Sequence, residues 1–363
     1  MNRKPKVLFI NPNLGAGGAE RVMSILAKSL SQRGYRVEFI LFNDLDRAYT
    51  IDESVKVHVL LERTLRSIPD RVKILLKLRR ILARNKGAVV IPFHPSCHKY
   101  VMAANIDRAV RVVSMENNDP GNLYTPERLK EMDRLYARSD YSVFQTEDAR
   151  SYFCDAVKGN SSVIPNPVPS PDETWHGDIA RKRIITLCRL EKQKNLFMAL
   201  DAVRILIDQY GITPSFDIFG QGSLEKELKE YCTNLGISQY VRFMGTTHQT
   251  TREMAAASVF ILSSDYEGIS NSMLEALAVG IPVVCTDCPV GGARMAIHSG
   301  ENGLLVPVGD ANALAAGVAA VLSDEKLAAR IGANARISGE THFSVDRVTD
   351  QWEEVIRKAC REE

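Results

Sequence analysis

The sequence predicts an α/β protein built from two consecutive doubly wound domains. Three observations carry this. Short β-rich runs alternate with helical periodicity from the first residues onward, the pattern of βαβ units and a mostly parallel sheet. A segment with four prolines at alternate positions, Pro165-Asn166-Pro167-Val168-Pro169-Ser170-Pro171, interrupts the alternation near mid-chain. It continues neither a helix nor a central strand and reads as a stiff, extended linker. The alternation then restarts, and 363 residues suit two domains of ~100–200 residues each. The expected boundaries are 1–168, 169–343 and a C-terminal element, 344–363.

In the first domain, strands are expected at 6–10, 37–42, 55–60, 88–91, 110–114 and 141–145. A helix at 19–33 sets Val22, Ile25, Leu26 and Leu30 on one face, and Gly34 suits the position past its end. Helices at 126–137 and 147–157 follow. In the second domain, strands are expected at 183–188, 215–219, 241–244, 259–262, 282–285 and 303–306. Helices separate them at 196–209, 224–235, 252–257, 273–279 and 311–322. The last helix, 344–360, is free by its position to fold back on the first domain.

Composition excludes several classes. Apolar residues make up 45% and charged residues 25%, as in ordinary globular proteins. Apolar runs such as 276–279 and 306–308 are far short of the ~20 residues of a membrane span. The run 7–10 is too short for the core of a secretion signal, so a cytoplasmic protein is expected, peripheral on the membrane at most. Seven scattered cysteines do not form a disulfide framework, and Cys285-x-x-Cys288 lacks the second pair of a zinc site. Counting Lys and Arg against Asp and Glu, residues 1–170 carry +9 and residues 171–363 carry −7. A basic half needs an anionic partner. Nucleic acid is disfavoured, because no recognised module or aromatic interleaving is present.

Candidate anion sites follow strands. The first strand runs into Gly15-Ala16-Gly17-Gly18-Ala19-Glu20. A glycine loop before a helix lets backbone N–H groups approach a phosphate. A dinucleotide fingerprint is the rival reading: Gly15 and Gly17 fit G-x-G-x-x-G, but Glu20 stands at the third glycine. Asp44 could imitate the ribose-binding acid of that motif, and a turn without a ligand is a third reading. In the second domain Arg189 and Lys194 follow the first strand, where doubly wound sheets bind ligands. Two cations there can neutralise a diphosphate and stabilise it as a leaving group. An exposed, solvated loop is the bland alternative.

The segment Ser264-Asp265-Tyr266-Glu267-Gly268-Ile269-Ser270-Asn271-Ser272-Met273-Leu274-Glu275 joins a strand to a helix. Glu267 falls in the loop and Glu275 in the helix's first turn. Gly268, Ile269, Ser270 and Asn271 present backbone N–H groups at a helix N-terminus, suited to an anion. Ser272-x-x-Glu275 also reads as a capping box, which would explain Glu275 but not Glu267.

Two glutamates with seven residues between them, followed by Ala-Val-Gly-Ile-Pro-Val-Val, resemble the signature of family 4 glycosyltransferases. The stretches 15–21, 189–195, 287–292 and 301–307 resemble other motifs of that family, in the right order. The resemblance implies the GT-B fold, two Rossmann-like domains facing each other across a cleft. It implies retaining transfer of a sugar from a nucleotide-diphosphate donor. Arg189 and Lys194 would hold the diphosphate, Glu275 the ribose and Glu267 the transferred sugar. Gly17 and Gly18 would close on the phosphates. Many relatives carry a histidine beside the reacting sugar. The equivalent here is Glu116, in Ser114-Met115-Glu116-Asn117-Asn118, which is assigned to the acceptor or sugar side, while His94 reads as structural. It also resembles the subset that builds O-antigens and capsules.

No metal is expected. Asp44-Leu45-Asp46 has Asp-x-Asp spacing but lies in a polar loop, and the two cations already serve the diphosphate. A UDP-linked hexose or N-acetylhexosamine is the first donor, GDP-mannose the second, and the acceptor a polyprenyl-diphosphate saccharide. A non-catalytic sugar-nucleotide binder, an epimerase and an NAD-dependent dehydrogenase remain as alternatives. Residues 63–86 hold nine basic residues and one acid, Asp70. On a helix from Pro69, Lys73, Lys77, Arg80 and Arg84 form one stripe, with Val72, Leu75, Leu76 and Leu82 expected roughly opposite. Such a helix can lie on an anionic membrane, or it is a solvated face.

Overall fold

The computed structural model describes residues 4–15, 17–45, 47–49, 51, 52, 55–65 and 67–361. Ala16, Asp46 and Arg66 of the segments above lie outside them. The chain divides into two compact units, Met1–Pro167 with Val345–Glu363, and Val168–Ser344.

The first unit is a seven-stranded sheet: β1 (Val7–Asn11), β2 (Val37–Leu41), β3 (Lys56–Val59), β4 (Val89–Pro92), β5 (Arg111–Glu116), β6 (Tyr141–Phe144) and β7 (Ser161–Val163). The strand order is β3-β2-β1-β4-β5-β6-β7, and every pairing is parallel. Strands β1, β2, β4 and β6 are buried throughout, as expected of strands covered on both faces by helices. Chain direction across the sheet reverses between β1 and β4, the switch point where such sheets bind ligands. The last helix, Val345–Cys360, belongs to this unit. Its Val348, Trp352, Val355 and Ile356 are buried in the first unit's core. Trp352 stacks on Phe93, centroids 6.3 Å apart, and Arg33 is ion-paired with Asp346, Asp350 and Glu353.

The helix Ile68–Arg84 departs from its expected faces. Ser67 caps it, its side chain accepting from the Asp70 N–H while Asp70 answers to the Ser67 N–H at 3.2 Å. Ile74, Leu78 and Leu82, spaced four apart, pack into the core. Val72 and Leu76 are exposed instead, because the row that begins at Asp70 and Ile74 faces the sheet and leaves the row of 68, 72 and 76 outside. The helix Pro95–Ala104 was not predicted, since only Cys97, His98, Val101 and Ala104 of its weakly patterned sequence are buried beside Pro95.

The second unit holds β8 (Arg183–Leu187), β9 (Ser215–Phe219), β10 (Val241–Gly245), β11 (Val259–Leu262), β12 (Val283–Thr286) and β13 (Leu304–Val306). Their order is β10-β9-β8-β11-β12-β13, all parallel, with the switch point between β8 and β11. The helix Glu325–His342 was also unpredicted. Its buried face is mostly small: Ala328, Ile331, Gly332, Ala335 and Gly339. A side chain added at Gly339 would come 2.7 Å from the Ala278 Cα. Close backbone contact replaces the hydrophobic periodicity that would have announced this helix, and it backs the helix Asn271–Val279, which carries Glu275.

Candidate active site

The loops leaving β8 and β11 meet at the switch point of the second unit. The Asp265 N–H donates to the Gln193 carbonyl at 2.9 Å, and Gln193 Nε2 donates to the Tyr266 carbonyl at 2.8 Å. Ser263 Oγ donates to the Lys194 carbonyl at 2.9 Å, and Asn195 Nδ2 to Asp265 Oδ1 at 2.7 Å. Asn195 adopts a left-handed conformation, φ 42°, which asparagine tolerates better than most residues, and it caps the helix Leu196–Tyr210 through the Met198 N–H. These bonds bring together two groups that are 73 positions apart. The Lys194 ammonium is ion-paired with Glu267, both buried. Ser264 Oγ donates to the same carboxylate at 2.9 Å.

A third segment fixes the backbone of Glu267. Its N–H donates to the Pro289 carbonyl at 2.6 Å, and the Val290 N–H returns a bond to the Glu267 carbonyl at 2.8 Å. Gly292 must be glycine, because an added side chain would lie 1.8 Å from the Gly268 carbonyl oxygen. The stretch 287–292 therefore shapes the loop Glu267–Ser270.

Arg189 sits on the exposed rim, its guanidinium donating to Gln193 Oε1 at 3.1 Å. Among the described residues it makes no ion pair, so its charge is available to a ligand. The backbone behind it is pressed against the loop that leaves β9: an added side chain at Gly220, φ 135°, would lie 1.8 Å from the Cys188 carbonyl oxygen. That loop was not singled out from the sequence, although a Gly-x-Gly after a strand was there to be seen. Gln193, Ser264 and Asp265 were missed as well. Their side chains are ordinary loop polars, and only their cross-loop bonds set them apart.

Glu275 is buried, and the capping-box reading of it does not hold. The helix Asn271–Val279 is capped by Ser270, whose side chain accepts from the Met273 N–H. Glu275 is thus the fifth helical residue, not the third that a capping box requires. Gly268, Ile269 and Ser270 are buried at the mouth of the helix, where Asn271 begins the first turn. A helix N-terminus there favours an anion.

In the first unit, Gly17 caps the helix Gly18–Gln32. Glu20 folds over it, held by Asn11 Nδ2 at 2.8 Å. Asp44, the acid that would imitate a ribose-binding residue, is ion-paired with Arg47. His94 caps the helix Pro95–Ala104 through the Ser96 N–H. Glu116 ends β5 and is fully buried. Burial pushes its carboxyl up to about 7, against the opposing pull of hydrogen bonds from Tyr124, Tyr136 and the neighbouring backbone. Tyr124 OH donates to Oε2 at 2.7 Å, and the Tyr136 hydroxyl lies 3.3 Å from the same oxygen. Among the described residues Oε1 has no hydrogen-bond partner.

Cys285 and Cys288 are unpaired, buried thiols, both pushed up by burial, Cys288 to about 12. Among the described residues no group of three His, Cys, Asp or Glu is placed to hold a metal ion, and no helix is long and apolar enough to cross a membrane.

Comparison with known proteins places the chain in a family. Residues 16–170 match the model described as Glycosyltransferase Family 4, and residues 177–338 that of Glycosyl transferases group 1. An N-acetylgalactosamine-N,N'-diacetylbacillosaminyl-diphospho-undecaprenol 4-alpha-N-acetylgalactosaminyltransferase of Campylobacter jejuni is 30% identical over 337 residues, covering 87% of this chain and 89% of that one. A lipopolysaccharide core biosynthesis glycosyltransferase of Rhizobium meliloti is 26% identical, covering 94% and 96%. The fold is shared with Anabaena Alr3699/HepE, crystallised with UDP and glucose, at a TM-score of 0.82 and 20% identity over 96% of this chain and 98% of that one. Two parallel-sheet Rossmann-like units of the GT-B kind, with paired glutamates and an Arg/Lys pair at the second switch point, make this chain a member of glycosyltransferase family 4.

Proposed function

We propose that the protein transfers a hexose or N-acetylhexosamine, with retention, from a UDP-sugar to a lipid-linked saccharide in cell-surface polysaccharide assembly. One observation supports the donor half: the loop that carries Arg189 and Lys194 is bonded to the loop leading into the helix Asn271–Val279, through Gln193 to the Tyr266 carbonyl and Lys194 to Glu267. Three positive or partly positive groups at one corner suit a diphosphate. Arg189 and Lys194 stabilise the charge that develops on the departing diphosphate, so no metal ion is required for that task. Glu275 takes the ribose hydroxyls. Glu267 holds Lys194 in place and receives the hydroxyls of the transferred sugar.

UDP is preferred because the Anabaena structure contains it. The lipid-linked acceptor is supported by the Campylobacter relative, whose name specifies a diphospho-undecaprenol substrate. Lys73, Lys77, Arg80 and Arg84 bring the first unit to the anionic membrane where such an acceptor resides. The test is calorimetry with UDP, GDP and NAD, followed by release of UDP from a panel of UDP-sugars. Micromolar UDP binding that Arg189→Ala weakens by about tenfold or more supports the reading. NAD binding with no response to any nucleoside diphosphate overturns it.

A further inference from the structure

The helix Ile68–Arg84 carries large aliphatic side chains on the same exposed face as its cations. Ile68, Val72 and Leu76 are 74%, 50% and 61% exposed, and a spacing of four places them in one row. Arg80 and Arg84 continue that row, and Lys73 and Lys77 run beside it. Ile68, Pro69, Val72, Lys73, Leu76, Lys77 and Arg80 line one shallow surface concavity. Single exposed aliphatics are ordinary, whereas three in a row, continued by cations, form a surface that water serves poorly. The helix is firmly seated, capped at Ser67 and buried along Ile74, Leu78 and Leu82.

The charges on this face are mostly uncommitted. Lys77 Nζ donates to the Leu60 carbonyl at 2.8 Å, but among the described residues no ion pair reaches Lys73, Arg80 or Arg84. The unit as a whole is basic: residues 1–167 with 345–363 carry +7, and residues 168–344 carry −5.

We infer that this face inserts Ile68, Val72 and Leu76 into an anionic lipid surface while Lys73, Arg80 and Arg84 pair with the headgroups. The inference rests on the membrane-bound, lipid-linked reading above and adds how the surface is engaged. Aliphatics beside cations match the boundary between acyl chains and anionic headgroups. A second copy of the chain docked about a two-fold axis would set this cationic stripe against itself. Cations alone give attachment that salt abolishes, because screening acts within ~10 Å at 0.1 M. Inserted aliphatics leave a fraction that salt does not remove.

Full-length protein is sedimented with vesicles of phosphatidylcholine containing about one-third phosphatidylglycerol, and with phosphatidylcholine alone, at low salt and at ~0.5 M salt. The wild type binds the anionic vesicles at low salt and keeps a residual bound fraction at high salt. Ile68→Ser/Val72→Ser/Leu76→Ser loses that residue and about tenfold or more of the low-salt affinity. Lys73→Gln/Arg80→Gln/Arg84→Gln loses the preference for anionic lipid. Both variants keep the wild-type melting temperature and UDP affinity. A wild type that ignores anionic vesicles overturns the inference, as does an aliphatic variant that binds like wild type at both salts. A concentration-dependent dimer that the aliphatic variant dissolves overturns it in favour of a second copy. Vesicle binding by a chain that binds no UDP leaves this inference standing and removes the donor reading.

Discussion

Lys194 and Glu267 form a buried ion pair between the loops that leave β8 and β11. Two of the groups assigned to the donor therefore hold each other before any donor arrives. A buried pair is costly to split, since the remaining partner keeps an uncompensated charge. Each residue thus has a positioning role besides the role toward substrate proposed for it.

Glu267→Ala is expected to lower turnover by about 10²–10³-fold and stability by up to ~3 kcal/mol. Lys194→Ala behaves alike, and the double variant costs less than the two combined, because it leaves no orphaned charge. Turnover per folded molecule, with melting curves for all three, measures this. Additive losses would mean that the pair is not coupled.

Glu275→Ala separates binding from capping. Ser270, not Ser272, caps the helix, so the bond from the Met273 N–H to Ser270 stays in place. UDP affinity falls by about tenfold, and the loss shows in calorimetry whatever the change in melting temperature. Unchanged UDP affinity would remove Glu275 from the ribose site.

Arg189 is exposed and without an ion pair among the described residues, so Arg189→Ala leaves the melting temperature within about a degree of wild type. UDP affinity falls by about 1–3 kcal/mol, the scale of a charge-assisted hydrogen bond. Isothermal calorimetry beside thermal unfolding tests both halves.

Glu116 makes stability depend on pH in an unusual direction for a carboxylate. Its folded value is about 7 against an ordinary 4.5, so the folded state holds the proton more tightly than the unfolded one. The contribution is fully present below about pH 4.5 and is lost as pH rises through 7, amounting to roughly 3 kcal/mol. Glu116→Gln, permanently neutral, loses this slope. Denaturant midpoints from pH 5 to 8 for both proteins check it, and parallel curves would contradict it.

Much of the architecture was written in periodicity. The strands of the second unit fall where its short β-rich runs predict them, most plainly β11, an unbroken apolar run buried throughout. The helices Pro95–Ala104 and Glu325–His342 were invisible for the opposite reason. Small side chains and backbone approach hold Glu325–His342 against its neighbour, as Gly332 and Gly339 show, and such contacts leave no periodic mark.

For the site, the sequence by itself named Arg189, Lys194, Glu267 and Glu275, because residue type, strand-end position and family pattern are all local properties. Only the tertiary structure decided that Lys194 pairs with Glu267, that Ser270 caps the helix in place of Ser272, and that Glu116 is sealed among tyrosines. It alone turned Val72 and Leu76 outward beside the cations. Each of these depends on which residues distant in the chain come within a few ångströms, and on which helix row meets the sheet. Spacing along the chain does not contain either.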